Sequence, residues 1–364
     1  MKIVLTGGGT GGHAYPAICI AEALKAESPD CELLFIGSRN GFEARLADRA
    51  GIPFVGITSR QLKKLLSPGT ILTAASLGKG FMEAVSALRR FGPDLVIGTG
   101  GYASAAVVMA QTLRRGNTLI HEQNVIPGRT NLALSRFASR VCVTFEDSAK
   151  YFPARKTIVT GLPIRSELLS LPDKKEARKA LGLDEERFTL LVIGGSQGAR
   201  RLNEVIAEAV RDLQKMDVQV VHQAGERNYE EADARRKEIG WKHYHVHPYF
   251  EDMRQVYTST DLVLSRCGAS TISEITAVGL PAILVPYPYA YADHQRFNAE
   301  FVSRNGGGIL VGDSEIDAEL LINIIKRLAD SPEELRRMSE ASRKLGKPQA
   351  ARDIARLALE VKQW

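Results

Sequence analysis

The sequence predicts an α/β protein with two Rossmann-like, doubly wound domains that face each other across a cleft. Short apolar runs rich in Val, Ile and Leu alternate with helix-length amphipathic segments along all 364 residues. This pattern is typical of parallel sheets covered on both faces. The chain exceeds one ordinary domain of about 100–200 residues. Each half also opens with a strand, a glycine-rich turn and a helix, at residues 7–12 and 194–198.

Composition excludes several classes of protein. Hydrophobic residues make up 44% and charged residues 25% of the chain, which excludes disordered and collagen-like sequences. The four cysteines lack any short metal-binding spacing and predict ordinary reduced thiols. The first apolar stretch is too short for a signal peptide, and glycines or prolines interrupt both long uncharged runs. We therefore expect a soluble protein.

Ten apolar runs are predicted as buried strands, five in each half. They span 2–6, 33–37, 95–98, 118–121, 141–144, 189–194, 218–222, 261–265, 282–286 and 308–311. The join between the halves is expected near residues 161–165, after the last strand of the first half. A final helix, from about 349 to 362, follows the second sheet. Ligands of such folds bind at the carboxyl ends of the strands, so the predicted cleft is the expected site.

The first glycine-rich turn, at residues 7–12, contains G-x-G-x-x-G between a strand and a helix predicted to begin near Pro16. Backbone N–H groups and a helix N-terminus there would suit an anion. NAD is disfavoured because the second strand ends in Ser38 and Arg39 instead of an acid. NADP would depend on Arg39 alone, and a tight turn without a ligand is the remaining alternative.

His13 directly follows this turn, at the predicted helix start. The helix dipole would keep its imidazole neutral and able to act as a base. From position alone, a capping or packing histidine is the favoured interpretation.

Further polar clusters follow other predicted strands, and we therefore expect them to lie at the cleft. In the first half they are 98–102 and 121–124, with Asn131 one or two helical turns later. In the second half they are the anion-binding turn at 194–198, the run 266–271 with Glu274 in the following helix, and 292–298. Each cluster alone could be ordinary loop capping. The carboxylate of Glu274 could hold ribose hydroxyls, and the His, Gln and Asn of 292–298 suit a sugar.

Metal and hydrolase chemistry are not predicted. His243, His245 and His247 share one strand face but have no accompanying carboxylate or cysteine motif, so a solvated or packed strand is favoured. No Asp-x-Asp motif ends a strand. The turn at 194–198 is of phosphate-binding type with no paired base nearby in the sequence, which argues against a hydrolase elbow.

Positive charge is concentrated in the first half. Residues 1–163 carry 19 Lys and Arg against 11 Asp and Glu, whereas the remainder is slightly acidic. This asymmetry favours a polyanionic or membrane-surface partner, or else reflects an unremarkable surface. Between 60 and 90, basic side chains (Lys63, Lys64, Lys79, Arg89, Arg90) accompany an apolar stripe. Docking on an anionic bilayer and burial of the stripe in the core are equally compatible with this segment.

Together these motifs resemble the MurG family, the peripheral-membrane N-acetylglucosaminyltransferases of peptidoglycan synthesis in the two-domain GT-B class. The resemblance is carried, in order, by 7–13, 98–102, 121–124, 194–199, 266–274 and 293–298. It implies inverting transfer of GlcNAc from UDP-GlcNAc to the C4 hydroxyl of lipid I, giving lipid II. It also implies a cytoplasmic-face membrane location, lipid I and an anionic membrane as partners, and contacts with cell-wall synthesis proteins. No cofactor, metal or nucleic acid is expected.

The resemblance also assigns domains and residues. Residues 1–163, with a returning C-terminal helix at about 347–364, would form the acceptor and membrane-facing domain, and 164–346 the UDP-GlcNAc domain. His13 is the implied base, with Glu122 as the alternative or as the residue that orients it. The implied acceptor residues are Thr10, Gly11, Gly12, Gly100, Gly101, Tyr102, Asn124 and Asn131. The implied donor residues are Arg165, Ser196, Phe250, Gly268, Ala269, Glu274, His294, Gln295 and Asn298.

Three alternatives remain open, of which an NADP-dependent oxidoreductase or a non-catalytic nucleotide-binding module is disfavoured by the missing acidic ribose residue and the second nucleotide-type half. Another GT-B glycosyltransferase with a different acceptor would share the donor motifs. A UDP-GlcNAc epimerase would share the fold and act on the sugar nucleotide without a lipid.

Overall fold

The structure, a computed structural model, describes residues 1–59, 69–195 and 198–361, and the side chains of all of these except 69–75. The chain forms two compact units. Unit 1 comprises Met1–Ile164 and Pro348–Trp364, and unit 2 comprises Arg165–Lys347.

Unit 1 is built on a parallel sheet, seven-stranded in the described part of the chain, with the order β3-β2-β1-β4-β5-β6-β7. Its strands are β1 (Lys2–Thr6), β2 (Glu32–Ser38), β3 (Phe54–Ile57), β4 (Leu95–Gly98), β5 (Asn117–Glu122), β6 (Arg140–Val143) and β7 (Thr157–Val159). Its helices are α1 (Gly11–Glu27), α2 (Glu43–Arg49), α3 (Gly69–Phe91), α4 (Tyr102–Leu113) and α5 (Arg129–Leu134).

Unit 2 repeats this plan with a parallel sheet in the order β10-β9-β8-β11-β12-β13. Its strands are β8 (Phe188–Ile193), β9 (Val218–Gln223), β10 (Tyr244–His247), β11 (Leu262–Ser265), β12 (Ala282–Leu284) and β13 (Gly308–Leu310). Its helices are α6 (Lys174–Ala180), α7 (Arg200–Leu213), α8 (Tyr229–Ile239), α9 (Met253–Ser259), α10 (Ala269–Val278), α11 (His294–Arg304), α12 (Ala318–Ala329) and α13 (Pro332–Leu345). The two doubly wound sheets confirm the predicted fold class.

Alternating side chains of the first sheet enter two separate cores. Ile3 and Leu5 of β1 pack towards α1, whereas Val4 packs towards α3 and α4, because successive side chains of a strand point to opposite faces. The helices therefore form two layers around the sheet.

The last helix, α14 (Ala350–Leu359), returns to unit 1 as predicted. Ile354, Ala355 and Ala358 are fully buried in the core that α1 covers. Arg352 and Arg356 both form ion pairs with Glu27 at the end of α1. The apolar contacts account for most of the attachment, since exposed ion pairs contribute little.

Two strands of the first sheet were not among the ten predicted ones. The strand β3 has four residues, including Gly56, and half-buried side chains, and β7 has three residues. Both lie at the edges of the sheet, where burial is incomplete and the apolar run that identifies a central strand is lost.

Candidate active site

The helix α1 begins at Gly11. Its start was predicted near Pro16, five residues later. Thr10 is extended, with φ −146° and ψ 156°, and its carbonyl oxygen accepts from the N–H groups of His13 and Ala14. An extended residue whose carbonyl accepts the first helical hydrogen bonds is the N-cap of a helix. The helix start predicted from the sequence was therefore wrong by about one and a half turns. His13 consequently lies in the first turn of the helix.

The two glycine-rich loops of unit 1 lie against each other. The N–H of Gly8 donates to the carbonyl of Gly100 at 3.3 Å. A Cβ atom on Gly101 would come within 2.3 Å of the Gly8 carbonyl oxygen, and φ there is +92°. Only glycine permits this approach together with a left-handed φ. The two glycine-rich loops, predicted from separate motifs, are therefore neighbours.

His13 lies at the contact between these loops. Its Nδ1 is 3.3 Å from the Gly8 carbonyl oxygen and 3.2 Å from Thr10 Oγ1. Because a carbonyl oxygen can only accept, the contact with Gly8 favours the tautomer with the proton on Nδ1 and the lone pair on Nε2. The imidazole is thus held in the tautomer that a general base at Nε2 requires.

Thr99 connects the second glycine-rich loop to α1 through hydrogen bonds. Its hydroxyl lies 2.7 Å from the carbonyl oxygen of His13, and its own carbonyl accepts from Gln123 Nε2 at 2.7 Å. Gln123 Nε2 is also 3.1 Å from Nδ1 of the buried His121, whose Nε2 donates to the Gly161 carbonyl. Burial lowers the pKa of His121 to about 4, so this ring is neutral. These contacts fix the backbone that carries His13.

Glu122, the alternative base, is a buried carboxylate surrounded by donors. It accepts from the N–H of Asn124 at 3.0 Å, the N–H of Gly128 at 3.1 Å and the Asn131 amide at 2.9 Å. Burial raises its pKa, and these hydrogen bonds act in the opposite direction. Its bonds hold the loop between β5 and α5 in shape. Asn131 also donates to the His121 carbonyl at 3.0 Å, so it supports the same loop.

The remaining predicted acceptor residues lie near these loops. Gly101 is the N-cap of α4, and Tyr102 is the first residue of that helix, with 37% of its surface exposed. Gly11 and Gly12 form the first turn of α1. Asn124 is half-buried after β5.

In unit 2, Gly268 is the N-cap of α10 and Ala269 its first residue, so the loop after β11 leads into a helix N-terminus. Gln295 Oε1 accepts from the N–H of Cys267 at 3.1 Å and from the N–H of Tyr287 at 3.0 Å. Asn298, fully buried, donates to the Cys267 carbonyl at 3.2 Å. These two predicted sugar-binding residues thus also hold the loop that precedes α10.

Arg165 and Glu274 form the main ion pair of the predicted donor site. Arg165 Nε lies 3.2 Å from one oxygen of Glu274, and Nη2 lies 3.5 Å from the other. The hydroxyl of the buried Tyr257 donates to the same carboxylate at 2.9 Å. Burial alone would lower the pKa of Arg165, but the Glu274 carboxylate outweighs it and raises that pKa. The predicted ribose acid is therefore already oriented by two donors.

Phe250 follows β10, and its backbone N–H donates to Gln223 Oε1 at 3.2 Å. His294, the first residue of α11, lies with Nδ1 2.7 Å from the Tyr291 carbonyl oxygen. The two residues before it, Ala292 and Asp293, have φ of +50° and +54°. Such strain in residues other than glycine is typical of functional sites. Ser196 lies outside the described residues, as do Lys63 and Lys64.

His245 and His247 of β10, and His243 just before it, are partly buried, in the solvated or packed strand that the sequence favoured. His245 is half-buried, and burial lowers its pKa to about 4. Burial also lowers the pKa of His243 and of His247. Across residues 1–59, 69–195 and 198–361, no group of three or more His, Cys, Asp or Glu side chains could hold a metal ion.

Sequence reasoning missed Glu43, Gln223 and Tyr257. Glu43 is fully buried beside the first glycine loop, where a Cβ atom on Gly8 would come within 2.3 Å of its carboxylate. Its Oε1 accepts from the N–H of Ser38. Each of the three is polar and buried, but polarity in a sequence does not reveal burial. Glu43 had one signal, since it lies shortly after the second strand, where Rossmann folds carry an acid.

Two family models match the chain. Residues 3–143 match the glycosyltransferase family 28 N-terminal domain, and 189–355 match its C-terminal domain. A protein of Desulforudis audaxviator, named UDP-N-acetylglucosamine–N-acetylmuramyl-(pentapeptide) pyrophosphoryl-undecaprenol N-acetylglucosamine transferase, is 43% identical over 97% of this chain and 96% of its own. The crystal structure of Acinetobacter baumannii MurG is 28% identical, with a TM-score of 0.80 over 100% of this chain and 99% of its own.

The chain belongs to the MurG family. The resemblance drawn from the sequence motifs, and the prediction of a glycosyltransferase, are therefore confirmed. A UDP-GlcNAc 2-epimerase from Neisseria meningitidis has a TM-score of 0.70 at 16% identity, covering 99% of this chain and 100% of its own. That likeness shows a shared fold alone, so the epimerase alternative gains no support from it. In the described part of this MurG family member, no helix has the length and apolar character needed to cross a membrane.

Proposed function

We propose that this enzyme transfers GlcNAc from UDP-GlcNAc to the C4 hydroxyl of MurNAc-pentapeptide-pyrophosphoryl-undecaprenol. The reaction converts lipid I into lipid II, with inversion at C1 of the transferred sugar, in peptidoglycan synthesis. The observation that carries the proposal is the near full-length similarity to a transferase named for these substrates, at 43% identity.

His13 is the proposed general base. It accepts the proton of the acceptor hydroxyl at Nε2 while that oxygen forms its bond to C1 of GlcNAc, and the C1–oxygen bond to UDP breaks with its electron pair. The contact of Nδ1 with the Gly8 carbonyl supports this role, because it favours a lone pair at Nε2. Glu122 is proposed as a positioning residue, since its carboxylate accepts from Gly128 in the following loop and from Asn131 on α5.

The loops around His13 are the proposed acceptor site. The adjoining loops at residues 8–12 and 100–101 offer backbone N–H groups close to two helix N-termini, which suits a pyrophosphate. Thr10 would act beside His13, and Tyr102 and Asn124 would contact the sugar or its peptide. Asn131 would maintain the shape of this loop from its buried position.

Unit 2 is the proposed donor domain. Glu274 would accept from the ribose hydroxyls, oriented by Arg165 and Tyr257. The N-terminus of α10 at Gly268 and Ala269, together with Ser196 and Arg165, would stabilise the charge that develops on the departing UDP. The Phe250 backbone would read the uracil. His294 and Gln295 would contact the GlcNAc hydroxyls, whereas the fully buried Asn298, predicted as a sugar ligand, would hold the loop before α10 in place.

The layer of α3, α4 and α5 in unit 1 is the proposed membrane-facing surface. These helices pack side by side and, with the turn after α5, expose four large apolar side chains that lie near exposed arginines in the sequence. The apolar side chains are Met82, Leu113, Leu132 and Phe137. Of the predicted apolar stripe, Leu88 is buried in the core and Met82 is exposed, so Met82 and the outward basic side chains Lys79, Arg89 and Arg90 would reach the membrane. Exposed apolar groups with adjacent cations suit an anionic bilayer.

UDP release tests the proposed function. The purified enzyme is supplied with UDP-GlcNAc in EDTA, with and without a lipid I analogue. We expect UDP only when the acceptor is present, together with a disaccharide product of β-1,4 linkage. Absence of UDP with a competent acceptor would contradict the lipid I proposal, and an epimerised sugar nucleotide would point to the alternative chemistry.

A further inference from the structure

A single buried amide joins two loops of the proposed donor site. Gln223 is the last residue of β9 and has only 5% of its surface exposed. Its Oε1 accepts from the Phe250 N–H at 3.2 Å, and its Nε2 donates to the Gly195 carbonyl at 3.4 Å. Gly195 belongs to the glycine-rich turn after β8, and Phe250 to the loop after β10.

The sheet explains why one side chain can reach both loops. The strand β9 lies between β8 and β10, and Gln223 is in register with Ile193 and His247, the last residues of those strands. Adjacent strands are about 4.8 Å apart, so an amide that extends beyond the central strand lies within hydrogen-bonding distance of the loop on each side.

The chemistry of the partners fixes the orientation of this amide. The Phe250 N–H can only donate and the Gly195 carbonyl can only accept, so Oε1 must face Phe250 and Nε2 must face Gly195. The primary amide of Gln supplies both groups without a charge.

The end of β9 is itself held rigidly. His222, buried beside Gln223, has Nε2 2.9 Å from Asn203 Oδ1 and Nδ1 3.0 Å from the Tyr244 hydroxyl. Asn203, on α7, donates to the Ala224 carbonyl at 2.9 Å. Burial lowers the pKa of His222 to about 3, so the ring stays neutral. The residues on either side of Gln223 are therefore anchored to the helix that follows the glycine-rich turn.

We infer that Gln223 is a positioning residue that sets the distance between the base-reading segment at Phe250 and the diphosphate-binding turn at Gly195. The inference rests on the proposed function, because it assigns these two segments to the two ends of UDP. A nucleotide bridges both segments, so an error in their separation weakens binding of the whole nucleotide and loosens recognition of the base.

The test compares two glutamines of the same strand. Gln223→Glu preserves size and an acceptor for Phe250 but replaces the donor to Gly195 with an oxygen. Gln219→Glu is the matched control. Gln219 is fully buried four residues earlier and donates to the Asp184 carbonyl and to Thr189 Oγ1 at the opposite end of β9. Calorimetry gives the dissociation constants of UDP and CDP, steady-state kinetics give kcat and KM, and urea unfolding reports stability.

We expect Gln223→Glu to weaken UDP binding about fivefold to tenfold, the range for one hydrogen bond. KM for UDP-GlcNAc should rise, KM for the acceptor should stay unchanged, and the preference for UDP over CDP should fall. Gln219→Glu should lower stability without changing UDP affinity or base preference. Wild-type UDP affinity and base preference in Gln223→Glu, or equal losses in both variants, would overturn the inference.

If Gln223→Glu does not fold, hydrogen exchange of the wild-type enzyme tests the inference instead. UDP should slow exchange in the peptide containing Phe250 and in the peptide containing Gly195 by similar factors, and slowing in only one of them would overturn the inference. If the wild-type enzyme binds no UDP at all, the proposed function itself fails. By contrast, if the wild-type enzyme binds UDP and Gln223→Glu binds it equally well, only the inference about Gln223 fails.

Discussion

Gly100 and His13 are in direct contact across the two glycine-rich loops of unit 1. A Cβ atom on Gly100 would come within 2.9 Å of Cδ2 and 3.1 Å of Nε2 of the imidazole, and φ at Gly100 is +108°. Gly100, which lies 87 positions after His13 in the chain, thus provides room for the imidazole of the proposed base. The position of the imidazole and the backbone conformation of the turn therefore both require a glycine here.

Gly100→Ala should therefore disable the enzyme while leaving donor binding intact. The methyl group would displace the His13 ring, and the left-handed φ adds about 1–3 kcal/mol of strain. We expect kcat to fall by about 100-fold, as for loss of a positioned base, with an unchanged dissociation constant for UDP. Gly51→Ala is a control, because φ there is +65°, no atom lies within 4 Å of the added methyl, and Gly51 lies outside the proposed sites. Equal losses in both variants would attribute the effect to backbone strain alone.

His13→Ala should lower kcat by about 10²- to 10⁴-fold, the usual contribution of a general base. The affinity for UDP-GlcNAc, which the other unit is proposed to bind, should stay near the wild-type value. Kinetics with a lipid I analogue and calorimetry with UDP-GlcNAc would separate the two effects. His243→Ala, in a histidine outside the proposed sites, should retain wild-type turnover. A variant at His13 that loses donor affinity but not kcat would remove this residue as the base.

Glu274→Gln should weaken binding of UDP and UDP-GlcNAc together by about tenfold to hundredfold, the range for charged hydrogen bonds. The change removes the negative charge that pairs with Arg165 and replaces the charged acceptor of the ribose hydroxyls with a neutral amide. Glu167→Gln is a matched control, since Glu167 also pairs with Arg165 at 3.4 Å but its side chain is 39% exposed. We expect calorimetry to give nearly wild-type affinity for the control. Unchanged affinity in Glu274→Gln would show that the ribose assignment is wrong.

His121 should make the protein less stable in mild acid. Burial holds its folded pKa at about 4, below the ordinary value of 6.5. The unfolded chain therefore binds a proton first as the pH falls, so stability present above pH 6.5 is lost between 6.5 and 4. The free energy of unfolding should decrease by about 3 kcal/mol across this range. Urea unfolding at several pH values checks this.

His121→Gln should remove that part of the pH dependence, because glutamine does not titrate. The difference between wild type and variant isolates His121, since His222 is also held neutral by burial and titrates alike in both proteins. Parallel pH profiles for the two proteins would contradict the prediction.

Replacing Arg89 and Arg90 with Gln should reduce binding to vesicles that contain anionic lipid, by about 1 kcal/mol for each charge near the surface. Both arginines are exposed at the end of α3. The same double change at Arg336 and Arg337, adjacent exposed arginines on α13 of unit 2, is the matched control. Co-sedimentation with vesicles of phosphatidylglycerol measures both. Equal binding by the two double variants would argue against the proposed membrane-facing surface.

Much of the fold could be predicted from local patterns. The ten predicted strands are all present because buried parallel strands need continuous apolar runs, which a sequence displays directly. The edge strands β3 and β7 were missed because incomplete burial removes that pattern. The start of α1 was misplaced because Pro16 suggests a first turn, whereas extended Thr10 and two glycines begin the helix earlier.

The sequence by itself determined the fold class, the positions of the glycine-rich turns and the family, since each depends on residues close together in the chain. The tertiary structure decided which distant residues meet. It placed Gly100 against His13, Arg165 against Glu274, and Gln223 between Gly195 and Phe250. The physical reason is that these contacts depend on which strands are neighbours in a sheet and how far each strand end extends. Local propensity carries no information about either.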